Sequence, residues 1–179
     1  GELVMQGYWR NPEATTETVR DGWLHTGDIG EMDSDGHIRI TDRKKDIIVN
    51  SGGDNISPQR IEGMLTLRPE IAQAMAYGDA RPHLVALIIP DASFAEEWAA
   101  ENGSDADLAG LIQEPRFCQR MSDVVDGINQ SLSAVERIRH FTLAATPFSV
   151  DDETLTPTMK IRRHEIVARH GEALAALYR

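Results

Sequence analysis

Residues 71–89 read Ile71-Ala-Gln-Ala-Met-Ala-Tyr77, then Gly78-Asp-Ala-Arg-Pro-His83, then Leu84-Val-Ala-Leu-Ile-Ile89. Two short apolar runs flank a stretch of turn residues around Gly78 to Pro82, which predicts two strands joined by a turn. Leu84 to Ile89 is the longest apolar run in the chain. It suits a buried strand and falls well short of the ~20 apolar residues a membrane-spanning helix needs.

Toward the C-terminus, Phe94 and Trp98 mark a short helix. Phe117, Met121, Val124, Val125, Ile128, Leu132 and Val135 then recur at helical spacing, the strongest amphipathic signal present, and predict a helix that packs on the sheet. Arg139 to Leu143 alternates as a further strand, a proline-containing loop runs through Pro157, and Ile166, Val167, Leu174 and Leu177 define a final helix. Toward the N-terminus, Ser57-Pro58 is a helix start, serine capping free amides and proline occupying the first helical position. Ile61, Met64 and Leu65 line that helix, Ser51 to Asn55 form a glycine-rich loop, and Ile47-Ile48-Val49 is a short apolar strand. Trp23 to Asp46 reads as β structure, a hairpin turning at Asp33-Ser34-Asp35-Gly36. Strands and helices are mixed rather than alternating, which predicts an α+β fold with a central sheet flanked by helices.

The 179 residues carry a formal net charge of -11, which argues against a nucleic-acid binder, because phosphate backbones need a basic face. Acidic residues concentrate from Asp91 to Asp126, whereas Arg43-Lys44-Lys45 and Lys160-Ile161-Arg162-Arg163 are compact basic spots. Such spots suit a small polyanion better than a polymer, against the plain alternative of solvated surface charge. The lone Cys118 reads as an ordinary helix residue and predicts a cytoplasmic protein without a disulfide. The opening at Gly1, without methionine or signal-peptide pattern, reads as a cut from a longer chain.

Glu31 to Asp42 imitates a calcium loop, but Arg39 holds a ligand place and the flanks are extended, which favours an acidic hairpin turn. No set of metal ligands, nucleophile elbow or phosphate-cradling loop is visible. Three stretches remain. Thr26-Gly27-Asp28 offers a carboxylate able to accept two vicinal hydroxyls, although the residues alone favour an Asp that caps a turn. Asp42-Arg43-Lys44-Lys45 leads to Gly52-Gly53, and Leu155-Thr156-Pro157-Thr158-Met159-Lys160 places a lysine at the expected start of the last helix, where its charge opposes the helix dipole.

In this order the three stretches resemble the signatures of the adenylate-forming superfamily, specifically the C-terminal fragment of an AMP-forming acyl-CoA synthetase of the long-chain fatty-acid branch. Gly1-Glu2-Leu3, Gly7-Tyr8-Trp9 and Asn11 to Thr15 resemble the segment before the ribose motif. The resemblance implies that residues 1–42 are the tail of a large N-terminal AMP-binding domain and 43–179 a mobile lid. It implies that Asp28 and Arg43 bind nucleotide, Lys45 is the hinge, Gly52 and Gly53 line the coenzyme A path, and Lys160 is the adenylation lysine. ATP, coenzyme A and a fatty acid are the implied substrates, with Mg2+ accompanying ATP. The missing N-terminal domain is the implied partner, and peripheral membrane association of the full enzyme is compatible with it. Where many relatives have glycine before that lysine, Met159 stands here. Two rival readings are a fatty acyl-AMP ligase without transfer to coenzyme A and a lid-like binding module without chemistry.

Overall fold

The protein, seen as a computed structural model, is described over residues 1–179, the side chains of Thr41 and Asp42 excepted. The Asp42 carboxylate, the last position of the calcium-like pattern, thus lies outside the described residues. The backbone divides into two compact units, Gly1–Ile47 and Ile48–Arg179. That division falls later than the 42/43 boundary expected from the resemblance.

The first unit holds helix α1 (Pro12–Thr18), strands β1 (Val19–Arg20) and β2 (Trp23–Leu24), and the longer strands β3 (Asp28–Met32) and β4 (Ile38–Arg43). Asn11 caps α1 by accepting the Ala14 N–H, and Pro12 follows at the first helical position. The predicted β region is therefore two antiparallel ladders, β1 with β2 and β3 with β4. None of the described residues of this unit is buried. Ile38 and Ile40, whose alternation marked the strand, are 71% and 59% exposed.

The second unit opens with the small ladder β5 (Ile48–Val49) and β6 (Asn55–Ile56), followed by helix α2 (Pro58–Thr66). Strands β7 (Ile71–Tyr77), β8 (Leu84–Pro90) and β9 (Ile138–Leu143) form the main sheet, in the order β7-β8-β9. β7 and β8 are antiparallel, while β8 and β9 are parallel. Parallel pairing requires a crossover, and helices α3 (Ala92–Asn102), α4 (Leu108–Leu111) and α5 (Pro115–Asn129) provide it. Helix α6 (Arg163–Ala176) ends the order.

β8 is buried along its whole length because both faces of the sheet are covered. Ala74, Ala76, Leu84, Ala86 and Ile88 share one core with residues of α2, α3 and α5. Met75, Val85, Leu87 and Ile89, pointing the other way as strand geometry demands, pack with Phe148, Leu155, Ile166 and Leu174. The apolar stripe of α5, from Phe117 to Ile128, is buried as its spacing predicts, each large side chain stabilising the fold by roughly 1.5–3 kcal/mol.

Two readings need correction. The α5 helix stops at Asn129: Leu132 is buried in the turn beyond it and Val135 is exposed. Asn129 explains the stop, since its side-chain amide both donates to Ile138 O and accepts from Ile138 N, at 2.9 Å each, binding the helix end to the first residue of β9. The last helix starts at Arg163 with Arg162 at its cap, so Lys160 lies ahead of the first turn and the helix dipole gives no argument about it.

Candidate functional site

The antiparallel register of β3 and β4 sets Asp28 directly opposite Arg43. Their side chains meet, Arg43 Nε donating to Asp28 Oδ1 at 2.9 Å. Lys44 N donates to Gly27 O and the Thr26 hydroxyl accepts from Asp28 N. Thr26 thus takes the turn amide, and the Asp28 carboxylate faces a guanidinium while 26% of its side chain remains exposed. Positive φ at Gly27, +73°, is what lets the chain enter β3 so abruptly. Lys45 follows in a turn closed by Asp46 N and Ile47 N, both donating to Arg43 O.

Asp33 builds the turn of the hairpin and Glu31 pairs across its strands. Asp33 Oδ1 accepts from Asp35 N and His37 N, its second oxygen meets the His37 ring at 3.1 Å, and Arg39 pairs with Glu31. The His37 N–H above all holds the Asp33 carboxyl below the ordinary carboxylate range. Asp33, Asp35 and His37 lie close enough to offer three ligand atoms to a cation, and all three are exposed.

In the second unit the Gly52-Gly53 loop is built around Asn50. Its Oδ1 accepts from Gly52 N and Asp54 N, and its Nδ2 donates to Asp54 Oδ2, each at 2.9 Å. Gly53 has φ +87°, so the turn itself requires glycine there, whereas a Cβ on Gly52 would approach Asn50 Oδ1 to 3.2 Å. Ser51 N donating to Arg81 O, and Ala80 N donating to Val49 O, fasten this loop to the β7–β8 turn.

Beside it lies a cavity of about 430 Å3 whose lining includes Asn50, Gly52, Asp54, His83, Val135 and Arg139. Gly52, but not Gly53, faces this space. His83 and Arg139 were missed from sequence, because no spacing rule brings the start of β9 to the β7–β8 turn. Burial first, then the positive fields of His140 and Arg139, push the His83 imidazole below the usual histidine range. Its buried Nε2 has no hydrogen-bond partner, and Arg139 has no ion-pair partner among the described residues.

Lys160 closes a separate turn. Thr156 N donates to Lys160 O and Met159 N to Thr156 O, both at 2.8 Å, while Lys160 N donates to the Thr156 hydroxyl at 3.0 Å. Leu155 and Ile161 bridge the base of the turn. Met159 adopts φ +61°, the left-handed conformation that glycine takes without cost. The side chain of Lys160 is exposed. The structure thus joins Asp28 to Arg43, and gives Gly52 and Lys160 to different loops of one unit.

Residues 45–179 match the family model described as the AMP-binding enzyme C-terminal domain. A long-chain-fatty-acid–CoA ligase of Mycobacterium tuberculosis is 39% identical over 180 residues, covering 99% of this chain and 30% of the ligase. The chain therefore spans about a third or less of the curated relatives it matches. Among solved structures, the adenylation domain of a carboxylate reductase from Mycobacterium chelonae superposes with a TM-score of 0.77 at 26% identity, covering 97% of this chain and 26% of that one. The A-PCP didomain of a carboxylic acid reductase from Segniliparus rugosus, solved with AMP, gives a TM-score of 0.74 at 25% identity over 97% of this chain and 23% of its own. With the loop-borne lysine, the paired glycines and the two-sided sheet all inside the matched residues, the chain belongs to the C-terminal domain family of AMP-binding enzymes.

Proposed function

We propose that this chain is the C-terminal part of a long-chain fatty-acid–CoA ligase that first joins a fatty carboxylate to AMP and then passes the acyl group to coenzyme A. The observation that carries the reading is the Asp28–Arg43 pair at the facing ends of β3 and β4. A carboxylate accepts hydrogen bonds from two vicinal ribose hydroxyls, and the guanidinium beside it orients that carboxylate and turns positive charge toward a phosphate.

In the first half-reaction the fatty carboxylate oxygen attacks the α-phosphorus of ATP and pyrophosphate leaves. Negative charge crowds on the carboxylate and α-phosphate oxygens, and the Lys160 ammonium, held on a closed turn, stabilises it. Mg2+ would arrive with ATP. In the exposed Asp33, Asp35 and His37 cluster the Asp33 carboxylate is engaged by the hairpin turn, and no step is assigned to a metal held by this chain. In the second half-reaction the thiol of coenzyme A attacks the acyl carbon and AMP leaves. Gly52, bare of a side chain, borders the cavity through which the narrow thiol arm passes, with Gly53 shaping the loop. Arg139 favours coenzyme A there because its phosphates are anionic. Rotation about Lys45 presents Lys160 in one step and Gly52 in the other.

The A-PCP didomain among the solved relatives favours a second reading, delivery of the acyl group to a carrier domain instead. Both readings are separated in the full-length enzyme by offering coenzyme A or a pantetheinylated carrier to preformed acyl-adenylate; thioester on the carrier alone would select the second. For the shared first step, Lys160→Ala should slow pyrophosphate release by about 100-fold or more, the scale of one preorganised donor. Transfer from supplied acyl-adenylate should persist, and equal loss in both steps would reduce Lys160 to a structural residue.

A further inference from the structure

We propose that Glu62 and Arg163 are positioning residues for Lys160, forming a half-buried ionic fastening that fixes where the lysine turn stands on the sheet. The proposal rests on the reading of Lys160 as the adenylation lysine.

The hydrogen bonds among Thr156, Met159 and Lys160 give the turn its shape, yet they are internal and do not locate it. Packing beneath it is incomplete. A cavity of about 230 Å3 opens under the turn, lined among others by Glu62, Gln73, Phe148, Leu155, Met159 and Ile161. Apolar contacts across such a gap are weak because dispersion falls steeply with separation.

Leu155 and Ile161 pack the base of the turn against the second core, and directional bonds add a link to α2 and β7. Arg163, the first residue of α6 and just beyond Lys160, donates through Nη1 to Glu62 Oε1 at 2.7 Å and to Ala76 O at 2.8 Å, and through Nη2 to Glu62 Oε2 at 3.2 Å. Glu62 Oε1 also accepts the Ala76 N–H at 2.8 Å. One knot therefore ties α2, β7 and the start of α6 together. Glu62 is only 7% exposed and the Arg163 side chain 24%, so salt screens the pair less than a surface pair, and both carboxylate oxygens are engaged. On the other side of the turn, Arg162 N donates to Thr154 O, which aligns the strand-like base but supplies no link to α2. Fork-to-carboxylate geometry is orientationally strict. It suits the task of holding a flexible ammonium to the tolerance that a two-oxygen transition state demands.

The test uses the full-length ligase and two assays: carboxylate-dependent ATP–pyrophosphate exchange, and thioester formation from supplied acyl-adenylate. Arg163→Met should slow exchange by about 10-fold to 100-fold, the cost of a displacement near 1 Å. Thioester formation should stay within about threefold, and in the Lys160→Ala background the same substitution should add less than about twofold, since residues acting through one another are not additive. Equal loss in both assays, unchanged exchange, or full additivity with Lys160→Ala would overturn the proposal. If Lys160→Ala itself leaves exchange intact, it is the adenylation reading that fails. If Lys160→Ala abolishes exchange while folded Arg163 variants retain it, only the positioning role fails. Because Arg163→Met strands a buried carboxylate, Glu62→Gln combined with Arg163→Met supplies a neutral counterpart, and Arg163→Lys keeps the charge without the fork. Should the truncated variants not fold, Arg163→Lys decides: slowed exchange with preserved thioester formation supports the proposal, and wild-type exchange refutes it.

Discussion

Met159 carries a side chain at φ +61°, where an L-residue pays roughly 1–2 kcal/mol that glycine avoids. Glycine in turn loses about 0.5–1 kcal/mol more chain entropy on folding. Met159→Gly should therefore raise stability by up to ~1 kcal/mol, seen as a small upward shift of the melting temperature. A lower melting temperature would show that the methionine side chain, 66% exposed though it is, stabilises the turn by contact. The substitution of methionine for the expected glycine was legible in sequence, while the backbone angle that gives it meaning was not. Gly53 presents the complementary case. Its φ of +87° with open space around the missing Cβ means that Gly53→Ala should cost roughly 1–2 kcal/mol by strain alone. Gly52→Ala meets no such strain and should instead slow thioester formation relative to adenylation, because that position borders the cavity with Arg139. If both half-reactions fall together in Gly52→Ala, disturbance of Asn50 is the cause and the path lies elsewhere.

At the scale of elements, periodicity located the three strands of the main sheet and helices α2, α3, α5 and α6, gave no signal for α1, β1, β6 or α4, and overran α5 where a side chain reached back to the backbone. The apolar spacing of α5 runs on through Leu132, yet the Asn129 amide bonds Ile138 and ends the helix there. Pairing of β9 beside β8, which brings Arg139 toward the Gly52 loop, is a long-range event that local pattern does not encode. The loop before Lys160 depends on another local tie. Asp152 accepts from the Thr154 hydroxyl, Thr154 N and Ser149 N, and pairs with Arg169 of α6. Chiefly through the Thr154 hydroxyl, its pKa is lowered from 3.8 to about 2. A depressed acid stabilises the fold above its unfolded pKa and ceases to do so as pH falls through the folded one. The melting temperature of the wild-type protein should thus exceed that of Asp152→Asn by a constant margin above about pH 4, and the margin should close toward pH 2. A margin independent of pH would mean that geometry, not charge, holds this loop.

The two units of the molecule differ in what can hold them together. Residues 48–179 enclose a sheet covered on both faces, with Phe117, Met121, Leu87 and Ile166 all but inaccessible. Residues 1–47 have short ladders, a two-turn helix and, among the described residues, no buried side chain; Trp9 and Trp23 are 86% and 74% exposed. Sequence suggested a domain tail here through motif resemblance, but the lack of a private core could be read only from burial. Ordering each residue costs roughly 1–2 kcal/mol of backbone entropy, and isolated two-stranded hairpins are marginal in water. Without apolar burial nothing offsets that cost, whereas the second unit buries large apolar side chains against both faces of its sheet. A polypeptide of residues 48–179 should accordingly unfold in one cooperative transition and protect the amides of β7, β8 and α5 from hydrogen exchange. A peptide of residues 1–47 should exchange at close to random-coil rates and show no thermal transition. Protection of the β3 and β4 amides in the isolated peptide would mean that the Asp28–Arg43 pair stands on a self-sufficient hairpin and requires no larger body to present it.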